Sequence, residues 1–417
     1  MYGRSGFAYI GPAQIMSGPI HPPSWWGAPR DFRQRPQERK IGWLELFYDL
    51  VYVAVIGQLT HHLAAHPTWA TLGHAFLLFC MVFWSWVNGS QYYDLHGNDG
   101  LRTRLMTFWQ MLAVAAVAIT VQDAFAGEPR GLAIAFCVLQ FLITYMWWSV
   151  GLYDPSHRAF NIFYTVNYLI ALALLLTSVF VSGPVIIWLW TAALVLDLTP
   201  PLIGARRIVR GVRADGREFT ASTSIVERFG LFTIIVLAES ILAAVAGIAA
   251  IPHKHPAAWA AFVLAILIAF LLWSLYFDMT SEQETRTGYA YMQWLMFLHF
   301  PLLASFSIAG ACLKVVLTSA QGPVPETVAW MFCLSLAVVL LMIVGLTRIM
   351  KEEEEDRSYI RPVSRLLVAL AVLLILLPAT GIAGHALLFL GVIATLLVVP
   401  VVVGIRSWVR YRFPRRT

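Results

Sequence analysis

The stretch FGLFTIIVLAESILAAVAGIAAI, from Phe229 to Ile251, decides the fold because it carries a single ionisable side chain in 23 residues. About 20 apolar residues cross the hydrocarbon core of a bilayer, so this stretch is long enough to be a transmembrane helix. Glu239 lies near its centre, where an ionisable side chain costs roughly 3 kcal/mol or more on insertion scales. Such groups usually face a bundle interior or a water-filled path, which makes Glu239 the first candidate functional residue.

The composition of the whole chain agrees with this stretch. Of 417 residues, 59% are hydrophobic and 12% are charged, whereas about 25% are charged in soluble proteins. Mean hydropathy is +0.71. The apolar runs are continuous rather than alternating, which predicts an all-α polytopic transmembrane bundle and not a β-barrel. Cys80, Cys137, Cys312 and Cys333 lie inside or at the edge of apolar runs without CxxC spacing, so we expect buried, inert thiols.

Twelve apolar runs predict about twelve transmembrane helices. The predicted spans are residues 43–65, 70–92, 103–126, 130–152, 159–182, 184–204, 223–250, 256–278, 289–316, 325–349, 363–382 and 384–406. The predicted domains are a disordered or interfacial cytoplasmic arm (1–42), a first six-helix half (43–204), a basic cytoplasmic linker (205–222), a second six-helix half (223–406) and a basic cytoplasmic tail (407–417).

Lysine and arginine residues lie mostly on one side of the predicted bundle. Of the 29 in the chain, 25 fall on the side that carries both termini, three (Arg130, Lys254 and Lys314) fall on the other, and Arg228 lies inside a span. Cytoplasmic loops carry an excess of basic residues, so both termini are predicted to be cytoplasmic. The net charge of +6 is therefore ascribed to loops beside the lipid bilayer, and no nucleic-acid partner is expected.

Two stretches of the sequence are similar to each other. GWLELFYDLVYVAVIGQL opens the first span and SIVERFGLFTIIVLAESIL opens the seventh, and aligning Glu45 with Glu227 also aligns Phe47 with Phe229. Spans that are six apart run in the same direction, so this similarity predicts a parallel six-plus-six repeat with a pseudo-two-fold axis along the membrane normal. Chance similarity between apolar helices is the alternative.

Three charged residues are predicted to meet near one end of the bundle. Glu45 and Asp49 are four residues apart and share a helix face at the start of the first span. Arg228 lies at a matching depth at the start of the seventh span. We expect a buried Glu45/Asp49–Arg228 cluster that holds the two halves together. In the alternative, each long side chain reaches water separately.

Glu239 follows Arg228 by eleven residues, which puts both on one face of a helix, offset by about 20° and about 16 Å apart along the axis. Gln58 and His62 add polarity to the first span farther from the cytoplasm. These residues predict a polar path along spans one, two and seven, with Glu239 as the proton or cation acceptor. The alternative is a protonated glutamic acid with a structural role in a helix interface.

Asp197 is a further candidate near the cytoplasmic end of the sixth span. Pro200 and Pro201 follow it and are expected to break the helix there. The freed carbonyl groups and the carboxylate could bind a cation. The alternative is a structural contact between Asp197 and Arg206 or Arg207.

Histidines cluster on the other side of the membrane. His62 and His66 are four residues apart and can share a helix face, and His253 and His255 follow the seventh span. They are weak candidates for an external metal or proton-sensing site, because no fixed ligand spacing is present. Ordinary interfacial histidines are the alternative.

The stretches ELFYDLVYVAVIGQLTHHL (Glu45–Leu63), WSWVNGSQYYD (Trp84–Asp94) and ERFGLFTIIVLAESIL (Glu227–Leu242) resemble signature stretches of the bacterial low temperature requirement A (LtrA) family. The resemblance extends over most of residues 41–405 and implies a multi-pass protein of the bacterial plasma membrane. The family takes its name from growth in the cold rather than from a biochemical activity. The resemblance therefore carries over no catalytic or binding residue.

Three classes of function fit these features. The first is a secondary transporter or permease-like protein for an ion or small solute, coupled to protons through Glu239. The second is a membrane enzyme or lipid-handling protein that uses the buried carboxylates, and the third is a structural or regulatory membrane factor for growth in the cold. The chain contains no GxxxxGK[ST], HExxH or GxSxG sequence, so no motif assigns ATP hydrolysis, catalysis or a cofactor.

Overall fold

The structure, a computed structural model, describes residues 27, 29–30, 39–98, 100–153, 158–214, 221–280, 284–320, 322–351 and 354–412. The helices in these ranges are α1 (Trp43–Ala65), α2 (Trp69–His96), α3 (Leu101–Phe125), α4 (Arg130–Tyr153), α5 (Arg158–Ser178), α6 (Val185–Ala214), α7 (Thr223–Ala249), α8 (Pro256–Thr280), α9 (Tyr289–Thr318), α10 (Glu326–Ile349), α11 (Glu354–Leu376) and α12 (Ala386–Arg412). Most of the predicted arm lies outside the described residues.

All twelve of these helices are long and apolar enough to cross a membrane, which confirms the predicted all-α transmembrane bundle. The outer surface of the bundle supports the same conclusion, because it exposes large apolar side chains that water would solvate poorly. Examples are Phe108, Trp109, Ile119, Phe141 and Trp188. The protein is therefore a multi-pass membrane protein.

The prediction that Pro200 and Pro201 break the sixth helix is wrong. Helix α6 continues through both prolines to Ala214. A proline at position 201 has no N–H for the carbonyl group of Asp197, four residues earlier. The indole Nε1 of Trp84 in α2 donates to that carbonyl oxygen at 3.1 Å. A neighbouring helix thus satisfies the freed group, which is how transmembrane helices tolerate proline.

Two helices extend into segments that were predicted as linker and tail. Helix α6 includes the first part of the linker (205–222), and α12 reaches Arg412 in the tail (407–417). Arginine is a good helix former, and beyond the apolar core a helix can continue into water. Between α11 and α12, the predicted break is present as two short 3₁₀ turns joined at Gly381, which has a φ of 76°.

The helices of α1–α6 pack in the same pairwise pattern as those of α7–α12. The packing of α1 on α3, α3 on α4, α4 on α5 and α5 on α6 has counterparts in α7 on α9, α9 on α10, α10 on α11 and α11 on α12. The six-plus-six repeat predicts this correspondence, although the division into two halves stays a prediction. The two sets meet where α1, α2 and α6 pack on α7 and α9.

Small residues bring α7 and α9 close together beside α1. A Cβ atom on Gly310 of α9 would lie 2.9 Å from the Cα atom of Ser240 in α7, and one on Gly247 of α7 would lie 3.1 Å from the Lys314 carbonyl oxygen. Such close approach is typical of membrane helices that carry glycine at the contact. Helix α1 then packs against α3, α7 and α9. Its polar side chains are thereby placed where the two sets of helices meet.

Candidate functional site

The first turn of α1 binds a charged side chain from the segment before it. Arg39 donates from Nη1 and Nη2 to the two carboxylate oxygens of Glu45, at 2.8 and 2.7 Å. The backbone N–H of Gly42 also donates to Glu45 Oε1 at 3.0 Å, which satisfies one of the free donors at the helix N-terminus. We call this end of the bundle, where α1 begins and α2 ends, the basic end.

The predicted contact between the first and seventh spans is present. Arg228 Nη2 donates to Asp49 Oδ1 at 2.6 Å, and Nη1 donates to Glu45 Oε2 at 3.3 Å. The Trp86 indole Nε1 from α2 donates to Asp49 Oδ1 at 2.7 Å. Arg228, Glu45 and Asp49 are at most 2% exposed. We call Arg39, Glu45, Asp49 and Arg228 the charge cluster, and it joins the two sets of helices.

Aromatic rings enclose the guanidinium group of Arg228. Its carbon lies 5.6 Å from the ring centroid of Tyr48 and 5.8 Å from that of Trp86, within the range of cation–π contacts. The Tyr48 hydroxyl donates to Gln110 Oε1 in α3 at 2.9 Å. A Cβ atom on Gly89 of α2 would overlap this hydroxyl, so the glycine is required for the contact. Together these groups shield the guanidinium group of Arg228 from water.

A small cavity lies beside the charge cluster, between α1, α2, α3, α4 and α7. Its volume is about 10 Å³, and its lining includes Glu45, Arg228, Arg102, Thr107 and Gln110. This is room for about one water molecule. An organic solute therefore does not fit in this cavity in this conformation.

Glu239 lies on the same face of α7 as Arg228 and also faces α1. It is half-buried, and its carboxylate packs on Gly57, where an added Cβ atom would lie 3.3 Å from both carboxylate oxygens. Lys314 of α9 is near enough for its charge to act on Glu239. Lys314 Nζ is also 3.2 Å from His61 Nδ1. Glu239 thus lies about three helical turns from Arg228 along α7, near a basic side chain.

Gln58 and His62 do not join Glu239. The Gln122 amide of α3 donates to the side-chain oxygen of Gln58 at 3.1 Å, and Gln122 Oε1 lies 3.3 Å from His62 Nδ1. The His62 ring stacks on Phe125 with centroids 3.8 Å apart. These polar side chains lie on the α3 side of α1, away from α7. The polar residues of α1 therefore form two separate groups rather than one predicted path.

Asp197 is buried within the first six helices and bonds to an amide. Gln140 Nε2 of α4 donates to Asp197 Oδ1 at 2.8 Å. A cavity of about 20 Å³ lies beside it, lined by Trp84, Asn88 and Gln140 among others. The side chains of Arg206 and Arg207, the partners considered from the sequence, lie outside the described residues.

The four candidate histidines do not form one group. His62 and His66 have ring centroids 5.1 Å apart on α1. His253 and His255 lie in the connection between α7 and α8. Within the described ranges, the structure brings together no three His, Cys, Asp or Glu side chains that could hold a metal ion.

One buried cation was not among the candidate residues predicted from the sequence. This cation is Arg102, near the start of α3, which is 2% exposed. Its Nη1 donates to the Tyr92 hydroxyl at 2.9 Å, and its Nη2 donates to the Ser149 hydroxyl. Its guanidinium carbon lies 5.7 Å from the ring centroid of Tyr145. Tyr92 lies in the WSWVNGSQYYD stretch, which also supplies Trp86 and Gly89 beside the charge cluster. The polar residues of this stretch could have indicated a buried partner for a cation.

A buried charge cluster between two sets of apolar helices defines a multi-pass α-helical membrane protein with an intramembrane polar site. The family described as Bacterial low temperature requirement A protein (LtrA) matches residues 40–403, so the chain belongs to this family. It is also similar to an uncharacterized protein of Rhizobium meliloti, with 26% identity over 218 residues that cover 50% of this chain and 52% of the relative. The chain thus spans about half the length of this curated relative. No solved structure matches the chain.

Proposed function

We propose that the protein is a secondary transporter or permease-like protein of the bacterial plasma membrane for an ion or small solute. In this proposal Glu239 takes up and releases a proton or cation, and the charge cluster closes the path at the basic end. The charge bias of the loops supports an orientation with the basic end in the cytoplasm. The observation that carries the proposal is the position of Glu239, half-buried between α7 and Gly57 of α1.

The surroundings of Glu239 support exchange rather than a fixed structural contact. Among the described residues, burial and the charge of Lys314 act on its carboxylate and no side-chain hydrogen bond does, although a structural acid in a helix interface would be expected to have one. Gly57 leaves room beside the carboxylate, and Lys314 provides a positive charge nearby. A carboxylate in this setting can take up and release a proton or a cation without breaking an existing hydrogen bond.

The charge cluster supports a closed state at the basic end. It joins α1 to α7, and the cavity beside it has a volume of only about 10 Å³. Movement of one set of helices against the other would separate Arg228 from Asp49 and Glu45. Rocking of one helix set against the other is the usual means of alternating access in transporters with repeats.

The test uses the full chain in proteoliposomes that contain a pH-sensitive dye. Gradients of sodium, potassium or chloride and a panel of amino acids and sugars are applied in turn. We expect one of them to drive proton movement, and this movement to be lost in Glu239→Gln. The matched control is Glu227→Gln, which removes the same charge from an exposed position on the same helix and should leave the flux unchanged.

Three results would contradict this proposal. Proton movement that persists in Glu239→Gln removes the assigned role of this carboxylate. Turnover of lipid by the purified protein supports the enzyme class instead. Full growth in the cold with both the Glu239→Gln and Asp49→Asn variants supports a structural factor that does not transport.

A further inference from the structure

Arg102 is a buried positive charge that pairs with no carboxylate among the described residues. Its contacts are the hydroxyl groups of Tyr92 and Ser149 and the ring of Tyr145. An arginine stays protonated in proteins, so it cannot become neutral on burial as a lysine or histidine can. A buried charge needs a counter-charge, because the effective desolvation penalty is several kcal/mol for an ion.

The neighbouring carboxylates already form ion pairs with other cations. Glu45 and Asp49 balance Arg39 and Arg228, as the distances in the charge cluster show. The charge of Arg102 is not balanced in this way, so the groups around the cavity carry one positive charge in excess.

Asp94, another buried carboxylate at the basic end, faces a different group. It accepts hydrogen bonds from the hydroxyls of Ser222 and Ser224 at the start of α7, at 2.6 and 2.8 Å. No ion pair of Arg102 is present in the described part of the chain.

The excess charge faces a small cavity that is partly open. Arg102 and Arg228 both line the cavity of about 10 Å³ beside the charge cluster. Each terminal nitrogen of Arg102 donates one hydrogen bond to a hydroxyl group. Each also carries a second N–H, which can donate to a bound anion. The space suits a particle close to a water molecule in size. Chloride and bromide are of this size, whereas phosphate, sulfate and carboxylates are too large.

We propose that this cavity binds one halide-sized monovalent anion between Arg102 and Arg228. The anion supplies the missing negative charge and accepts hydrogen bonds from the guanidinium groups. The inference rests on burial, charge and cavity size alone, and it holds whether or not the protein transports a solute. Arg102 thereby has a role distinct from that of Glu239, which lies about three helical turns from Arg228 along α7.

The experiment measures equilibrium binding of radiolabelled chloride to the purified full chain in nanodiscs, with gluconate as the other anion. We expect saturable binding of about one chloride per chain, displaced by bromide and not by sulfate. Arg102→Gln should abolish this binding. The matched control is Arg104→Gln, which removes a positive charge two residues away at an exposed position and should leave binding unchanged.

Gel filtration establishes that each variant is folded before binding is compared. If Arg102→Gln does not fold, anomalous scattering from wild-type crystals soaked in bromide decides the matter. A bromide peak between the two guanidinium groups supports the proposal. A folded wild-type protein that binds no chloride saturably, a folded Arg102→Gln variant that binds it as well as wild type, or a bromide peak only elsewhere would overturn it.

Discussion

The contact between Asp49 and Arg228 predicts that the double substitution costs less stability than the two single substitutions added together. In Asp49→Asn, Arg228 loses its partner at 2.6 Å and keeps only Glu45 at 3.3 Å, which Arg39 also binds. In Arg228→Gln, Asp49 keeps only the indole N–H of Trp86. Removing one partner of a buried ion pair costs about 3–5 kcal/mol, so we expect each single variant to lose an amount in this range.

The double variant Asp49→Asn/Arg228→Gln should lose less stability than the sum of the two single losses, because it leaves no unbalanced charge. Glu45 retains both hydrogen bonds from Arg39. The asparagine carbonyl can still accept from Trp86, and the two new amides can bond to each other. We therefore expect a coupling free energy of about 3 kcal/mol between the two positions, at the upper end for residues in contact.

The assay is reversible unfolding by sodium dodecyl sulfate in mixed micelles, followed by tryptophan fluorescence, for wild type, both single variants and the double variant. The free energy of unfolding of each protein gives the coupling term. Losses that simply add, or single variants as stable as wild type, would refute a buried ion pair between α1 and α7. Arg104→Gln serves as the control for loss of an exposed positive charge.

Two further predictions concern packing around the site, and both are measured as thermal unfolding in detergent. Gly89→Ala should lose about 1–3 kcal/mol because the new methyl group overlaps the Tyr48 hydroxyl. Gly73→Ala in the same helix meets nothing within 4 Å, so it should be neutral or gain up to about 1 kcal/mol. Gln140→Leu should lose about 1–3 kcal/mol because Asp197 loses its amide donor. The control is Gln122→Leu, which removes an exposed hydrogen bond and should stay within about 0.5 kcal/mol of wild type. Equal losses in Gln140→Leu and Gln122→Leu would contradict the burial of Asp197.

The transmembrane helices could be predicted well from the sequence because the thickness of the hydrocarbon core sets the length of each apolar run. A span needs about 20 apolar residues and polar connections, and both are visible without tertiary information. Helix α1 occupies the predicted 43–65, for example. The ends of α6 and α12 were harder to predict, since beyond the apolar core nothing in the pattern marks where a helix stops.

The site was only partly predictable. The meeting of Asp49 with Arg228 followed from matching depth and opposite charge, because a buried charge must find a partner. The bond between Gln140 and Asp197 depends on how α4 packs on α6, which no local pattern reveals. Arg102 and Arg104 look alike in the sequence, yet a separation of two residues turns them about 200° apart on a helix. Only the packing of α3 shows which of them is buried.

The chemistry of the charge cluster suits a contact that opens. A buried ion pair contributes little net stability, because the loss of hydration offsets most of the attraction between the charges. When α1 and α7 separate and water enters, the charges regain hydration, whereas an apolar contact of the same size would lose its burial. The double variant Asp49→Asn/Arg228→Gln therefore separates two roles. If the cluster only holds the helices together, this variant should retain the flux of wild type once it is folded. If hydration of the charges helps the contact to open, the variant should lose flux even when it is folded.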